Sequence, residues 1–186
     1  MATRDTEITT SRLSINRLGL WLFFLSESFL FLALLVTRFY LQGFSRPPEM
    51  NQPLGFGISI ILLLSSLSAY RGETFIASGM EKQFRRNIII TLCLGGLFLV
   101  GVGIEWAEAF RYFPPSTVFG AVFFTMTGFH AFHVLLGLLA LGILVLPGQR
   151  GRFTPDSYWG AEGIIKFWHF VDVVWMFIFP ALYLVS

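Results

Sequence analysis

The sequence predicts an all-α integral membrane protein, a bundle of five transmembrane helices. The first observation is composition: 55% of the 186 residues are hydrophobic, only 13% are charged, and the mean hydropathy is +0.70. Average proteins carry about twice this share of charge. The second observation is that the apolar residues fall in long uncharged runs, which excludes a water-soluble enzyme, a disordered chain and a disulfide scaffold. The small net charge of +2 gives no indication of nucleic acid binding.

Each apolar stretch is long enough, at about 1.5 Å rise per residue, to cross a hydrocarbon core about 30 Å thick. The spans are predicted at Leu18–Leu41, Leu54–Tyr70, Asn87–Trp106, Phe119–Leu146 and Ile164–Val185. Helix-stopping residues separate them, at Arg46-Pro47-Pro48, Gly72-Glu73, Pro114-Pro115 and Pro147-Gly148. Residues 1–17 are therefore predicted to form a cytoplasmic N-terminal tail, and residues 18–186 a single five-span membrane domain.

The distribution of lysine and arginine predicts the orientation. Ten of these residues fall on the side that carries the N-terminal tail, and three fall on the opposite side. The ten are Arg4, Arg12, Arg17, Arg71, Lys82, Arg85, Arg86, Arg150, Arg152 and Lys166. Because cytoplasmic segments carry the excess of basic residues, the N-terminus is expected in the cytoplasm and the C-terminus outside.

Several ionisable residues fall inside the predicted spans. Each costs roughly 2.5–3.5 kcal/mol to insert, so each is a hypothesis for a functional site. Glu27 is the deepest acid in the first span, and His130 and His133 share one face of the fourth span at spacing i, i+3. A polar stripe at i, i+4, i+7 and i+10 follows the first turns of the fifth span: Glu162, Lys166, His169 and Asp172.

The three histidines leave two interpretations open. They could converge on a metal, or His133 and His169 could clamp a haem in a self-contained di-histidine cytochrome b. Alternatively, they hydrogen-bond across helices and fix the bundle, which is the interpretation we favour. The single cysteine, Cys93, excludes disulfides within the chain and a Cys-x-x-Cys-His haem attachment.

The carboxylates also have alternative roles. Glu27 could relay a proton, serve as a structural acid or contact a lipid headgroup. Glu105 and Glu108, near a membrane interface and beside Trp106, are expected to be solvated. In the fifth span, we expect pairs between Glu162 and Lys166 and between His169 and Asp172.

Glycine and tryptophan residues predict packing and interfaces. Glycines in the third span permit close helix approach: Gly95, Gly96, Gly101 and Gly103. Tryptophans near the span ends are expected in interfacial belts: Trp21, Trp106, Trp159 and Trp168.

Three segments together resemble subunit III of the haem–copper terminal oxidases, the cytochrome c oxidase subunit III family. Ser26-Glu27 with Phe29-Leu30-Phe31 resembles the "SE..FF" opening of the family's third helix. Residues 127–137, TGFHAFHVLLG, are similar to its "TGFHGxHVxxG" segment, and residues 167–175, FWHFVDVVW, resemble its "[YF]WHFVDVVW" segment. Glu105-Trp106-Ala107-Glu108 also resembles its "xEYxE" helix end. The resemblance extends from about Leu18 to the end of the chain.

The resemblance implies an accessory, non-catalytic and cofactor-free subunit in a bacterial plasma membrane, active in aerobic respiratory electron transport and proton translocation. Its expected partners are catalytic subunit I and subunit II, which hold the haem and copper, and phospholipids. By resemblance, Glu27 maps onto a carbodiimide-reactive acid near bound lipid. The residues that map onto the family motifs are expected to make packing and polar interhelical contacts: His130, His133, His169 and Asp172.

The residue count agrees with an accessory role. Two haems and a copper need about six histidines, and this chain has three. Longer family members have seven spans, and this chain lacks a counterpart of the first two, as do short bacterial forms, especially quinol-oxidising ones. A lipid cleft of the family's kind would then need a second wall from other helices. Cytochrome c or quinol as electron donor, and a nitric-oxide-reductase-associated homologue, remain alternatives.

Overall fold

The computed structural model describes residues 2–43, 47, 50–146, 153 and 158–185, with side chains from residue 13 onwards. Within these residues the chain is helical and contains no strand. The helices are α1 (Ala2–Gln42), α2 (Gln52–Ala77), α3 (Glu81–Tyr112), α4 (Val118–Leu144) and α5 (Trp159–Phe179), and α5 continues into a π-helical turn, Pro180–Leu184. The five helices are all long and apolar enough to cross a membrane, which confirms the predicted fold class.

Local sequence explains where several helices begin and end. The Asn51 side chain caps α2 by accepting a hydrogen bond from the Leu54 backbone N–H at 3.1 Å. Thr117 caps α4 in the same way, accepting from the Gly120 N–H at 3.1 Å. Gly79 has a φ of 74°, a left-handed conformation that suits glycine, and this allows the tight turn between α2 and α3.

The helices extend beyond the apolar segments that predict them. α1 begins at Ala2, within the predicted tail, and α2 passes through the predicted stop at Gly72 and ends at Ala77. Hydropathy identifies only the part of a helix inside hydrocarbon, whereas the helix continues into the interfacial region. Gly72 does not end α2 because it serves packing instead: a Cβ there would lie 3.2 Å from Cδ1 of Ile88 in α3.

Four helices form a closed ring in which α2 packs on α3, α3 on α4, α4 on α5, and α5 on α2. Small residues bring these helices close together. A Cβ at Gly101 of α3 would lie 2.3 Å from Cγ2 of Ile58 in α2, and one at Gly95 would lie 2.6 Å from Cη2 of Trp168 in α5. Close approach of this kind drives helix association in membranes.

Two tryptophans of α5 point into the ring. Trp168 and Trp175 are 0% and 1% exposed. Their indole N–H groups donate to serines of α2, Trp168 to Ser65 Oγ at 3.1 Å and Trp175 to Ser59 Oγ at 2.8 Å. The prediction that Trp168 lies in an interfacial belt is therefore wrong, because α5 directs this residue towards α2 and α3.

α1 lies outside the ring, against α4 and α5. Only 11% of its apolar segment is buried within the chain, compared with 56% for the span that begins at Trp159. Its outward face consists of large exposed apolar side chains, among them Trp21, Leu25, Phe29 and Leu32. This face is available to lipid or to another protein chain.

Candidate functional site

Glu27 and His133 form a polar pair between α1 and α4. The Nε2 atom of His133 lies 3.1 Å from Oε2 of Glu27, although the two residues are 106 positions apart in sequence. The other ring nitrogen, Nδ1, lies 2.7 Å from the backbone oxygen of Phe129, one turn earlier in α4. Both nitrogens of this ring are therefore engaged.

The geometry fixes where the protons of this pair can be. A backbone oxygen only accepts hydrogen bonds, so Nδ1 of His133 must carry a proton and donate it to Phe129. A hydrogen bond between Nε2 and Oε2 of Glu27 then needs one further proton, which either residue can carry. The two atoms are close enough to share a proton between α1 and α4.

The pair lies at the edge of the bundle. The side chains of His133 and Glu27 are 9% and 19% exposed, so the carboxyl group retains access to the surroundings of the protein. The Phe31 ring packs edge-on against His133 at 5.1 Å between centroids. The neighbouring Ser28 hydroxyl donates to the Phe24 backbone oxygen at 2.7 Å, so it is engaged within its own helix.

His130 has a different environment from His133. It is 0% exposed, with its ring 4.8 Å from that of Trp175 and 5.8 Å from that of Phe98. Neither ring nitrogen has a hydrogen-bond partner among the described residues. Its interhelical contacts are therefore aromatic, in contrast to the predicted polar contact, because the facing side chains of α3 and α5 are rings.

The start of α5 carries a charged cluster that reaches α1. Glu162 contacts Lys166 within α5, and its Oε1 lies 3.9 Å from Nη2 of Arg17 in α1. Both cations also lie over the Trp159 ring, at 5.6 Å for Arg17 and 5.8 Å for Lys166. The predicted pair of Glu162 with Lys166 is therefore formed. Glu162 also makes a contact between helices, with Arg17 of α1.

The predicted pair of His169 with Asp172 is not formed. The Nδ1 atom of His169 lies 2.6 Å from Oγ of Ser66 in α2. The same hydroxyl lies beside the carboxyl group of Asp172, which is 4% exposed. The His169 contact is therefore interhelical, whereas neither carboxyl oxygen of Asp172 has a hydrogen-bond partner among the described residues. Sequence reasoning missed Ser66, although it lies in a serine-rich part of α2 whose other serines, Ser59, Ser65 and Ser68, are buried.

The two acids near the end of α3 have different environments. Glu108 is exposed and accepts a hydrogen bond from Asn51 Nδ2 at 3.0 Å. Glu105 is 3% exposed and lies beside Tyr183, so the prediction that it is solvated is wrong. Its spacing of four from buried Gly101 and Ala109 places it on the inward face of α3. This spacing is the feature of the sequence from which the burial of Glu105 could have been predicted.

Metal and haem ligation find little support in this geometry. Among the described residues, no group of three His, Cys, Asp or Glu side chains could hold a metal ion. A haem between His133 and His169 would require His133 to release either Glu27 or its own backbone contact.

Comparison with known proteins identifies the family. A profile described as cytochrome c oxidase subunit III matches residues 4–186. The chain belongs to the cytochrome c oxidase subunit III family. A relative named cytochrome c oxidase subunit 3 from Corynebacterium diphtheriae is 37% identical over 140 residues, covering 74% of this chain and 68% of the relative.

More distant relatives extend the match along the chain. The proteins of the same name from Marchantia polymorpha and Gallus gallus are 35% and 31% identical over 179 residues. Each alignment covers 90% of this chain, and 67% and 68% of the respective relative. The resemblance found in the motifs is thereby confirmed. As a member of this family, the chain is a multi-pass membrane subunit that associates with other subunits of an oxidase in aerobic respiration.

Proposed function

We propose that this chain is an accessory, cofactor-free subunit of a bacterial haem–copper terminal oxidase. It packs against catalytic subunit I in a complex that also contains subunit II, and these partners hold the haem and copper. Its role is to bind phospholipid and to sustain proton uptake by the catalytic subunit. The observation that carries this proposal is the Glu27–His133 pair, two ionisable groups within hydrogen-bonding distance at the edge of the bundle.

A groove beside α1 supports the lipid-binding role. A cavity of about 620 Å³ lies between α1 and α5. Aromatic and aliphatic side chains form most of its walls, including Trp21, Phe24 and Phe170, while Lys166 and His169 supply its charged and polar groups. An acyl chain fits such walls, and a phosphate or ester oxygen fits the lysine end. The exposed apolar face of α1 would extend this contact with lipid.

The charge distribution supports an N-terminus in the cytoplasm. Because consecutive spans alternate in direction, the start of α1, the α2–α3 turn and the start of α5 fall on one side of the membrane. Arg17, Arg71 and Lys166 lie on that side, as the positive-inside rule expects of cytoplasmic segments. Arg150, Arg152 and the side chains of Arg4 and Arg12 belong to the same prediction and lie outside the described residues.

The histidine environments support a cofactor-free chain. His133 uses both ring nitrogens in hydrogen bonds, and His130 is enclosed by aromatic rings with no space beside it for a porphyrin. A haem-binding alternative would need these residues to rearrange.

The experiment is affinity purification of the tagged chain from its native membranes in mild detergent, followed by optical spectroscopy and mass spectrometry. We expect a large histidine-rich subunit to co-purify, and haem absorbance to stay with that partner when the complex is dissociated. A His133→Gln variant provides the control, since it should carry as much haem-containing partner as the wild type. Haem that remains on the isolated wild-type chain and is lost with His133→Gln would contradict the proposal.

A further inference from the structure

The first turns of α3 place three cations on the outer surface of the bundle. Arg85 is engaged, since its Nη2 donates to the Val145 backbone oxygen at the end of α4 at 2.6 Å. Lys82 and Arg86 are both exposed. Within the part of the chain that the structure describes, neither has an ion pair or a hydrogen bond from its side chain. Two positive charges are therefore left for a ligand from outside.

These cations line a cavity with an apolar floor. The cavity has a volume of about 630 Å³, and the three basic residues share its walls with Glu81, Ile89 and Ile90. Three positive charges face one negative charge, so the site favours an anion. The two isoleucines are 48% and 42% exposed, one turn further into the membrane than the cations. A ligand that fits both parts is anionic at one end and apolar at the other.

The outward face of α3 continues the apolar floor across the membrane. Cys93, Leu97, Val100 and Ile104 follow Ile90 at helical spacing, and all are exposed. From Ile90 to Ile104 the helix rises about 21 Å. One leaflet occupies about half of a hydrocarbon core that is about 30 Å thick, so this apolar face is long enough for the whole acyl chain of a lipid.

We infer that α3 carries a binding site for an anionic phospholipid. Lys82 and Arg86 hold its phosphate groups, Ile89 and Ile90 contact its glycerol end, and its acyl chains lie along the outward face of α3. A zwitterionic phospholipid has the same chains but no net charge, so it binds this site more weakly. The site shares no lining residue with the groove between α1 and α5. An experiment can therefore reject one of the two proposed lipid sites without rejecting the other.

The only cysteine of the chain provides a local probe. Cys93 is exposed on the same face of α3, about one turn further into the membrane than Ile89 and Ile90. A bimane label on Cys93 of the full chain in detergent should be quenched when a bromine-containing acyl chain occupies the site. Titration with brominated phosphatidylglycerol and with brominated phosphatidylcholine compares an anionic with a zwitterionic lipid. We expect half-maximal quenching at a roughly tenfold lower mole fraction of phosphatidylglycerol.

Charge variants separate this site from a general effect of net charge. In the Lys82→Gln/Arg86→Gln variant, half-maximal quenching by phosphatidylglycerol should need the same mole fraction as quenching by phosphatidylcholine. The matched control, Arg71→Gln/Arg111→Gln, removes two charges from exposed positions outside the cavity and should keep the preference. Equal quenching by the two lipids in the wild type would overturn the inference. So would a preference that survives Lys82→Gln/Arg86→Gln, or one that the control abolishes to the same extent.

Discussion

The ring of α2 to α5 and the outer helix α1 are held by different kinds of contact. Within the ring, glycines allow backbones to approach closely, and buried indole groups donate to serines, as Trp175 does to Ser59. α1 presents mostly exposed apolar side chains. Its contacts include the Glu27–His133 pair, the Arg17–Glu162 ion pair, and Phe24 stacked on Phe170 at 4.9 Å.

This difference indicates a division of tasks. The ring is closely packed within the chain itself, through glycine contacts and indole–serine hydrogen bonds. α1 combines a large exposed apolar surface with the partly exposed Glu27–His133 pair, so under the proposed function it is a helix through which lipid or partner subunits act on the chain. Changes in the ring should therefore alter stability, whereas changes at α1 should alter function during turnover.

The largest effect is expected where two ring backbones meet. Gly101→Leu places a side chain where even a Cβ would lie 2.3 Å from Ile58 Cγ2, and Ile58 is stiff at this position because it is β-branched. We expect a loss of about 2–3 kcal/mol in the free energy of unfolding, measured by SDS titration in mixed micelles. Gly103→Leu is the matched control, because a Cβ there has nothing within 4 Å. Equal losses in both variants would show that Gly101 is not a packing contact.

A smaller effect is expected from the indole–serine contacts of the ring. Ser59→Ala removes the acceptor of the buried Trp175 N–H. We expect a loss of about 1 kcal/mol in the same titration, since hydrogen bonds between membrane helices average about 0.6 kcal/mol and reach about 1.7. A double-mutant cycle with Trp175→Phe isolates the contact. Thr37→Ala is the control, because Thr37 is exposed and, among the described residues, its hydroxyl bonds only to Ala33 of its own helix. Additive effects of the Ser59 and Trp175 changes would argue against the contact.

The smallest effect is expected where α1 meets the start of α5. Glu162→Gln removes the ion pairs with Arg17 and with Lys166, whose side chains are 58% and 37% exposed. We expect a change below about 1 kcal/mol in the free energy of unfolding, since exposed pairs contribute little. Cross-linking between α1 and α5 is the more sensitive measurement and should decrease slightly. A loss as large as that of Gly101→Leu would mean that α1 belongs to the stabilising core and would remove the distinction between the two regions.

The sequence predicted the fold well because the main signal is local. Long uncharged runs must lie in hydrocarbon as helices, whatever their partners are. Helix ends were predicted less well, since α2 continues past Gly72 into the interface, where hydropathy gives no signal.

The candidate site was predicted in part. The motifs identified Glu27 and His133 separately, but their contact depends on how α1 and α4 pack, which no local pattern records. The same reason explains the partner of His169, where Ser66 of α2 replaces the expected Asp172. The burial of Glu105 is different, because its spacing from Gly101 and Ala109 indicates the inward face of α3. Only its neighbour Tyr183 depends on how the end of the chain packs against α3.

The central claim is that the Glu27–His133 pair supports turnover without being an obligatory step in it. Glu27→Gln tests this directly, because the amide can still donate to Nε2 of His133 but cannot exchange a proton with it. Oxygen consumption and proton uptake of the purified complex would be followed over many turnovers, with Glu108→Gln as the control acid. We expect an initial rate equal to the wild type, a faster loss of activity in Glu27→Gln, and no change in the control. Immediate loss of proton pumping in Glu27→Gln, or a lifetime equal to the wild type, would contradict the account.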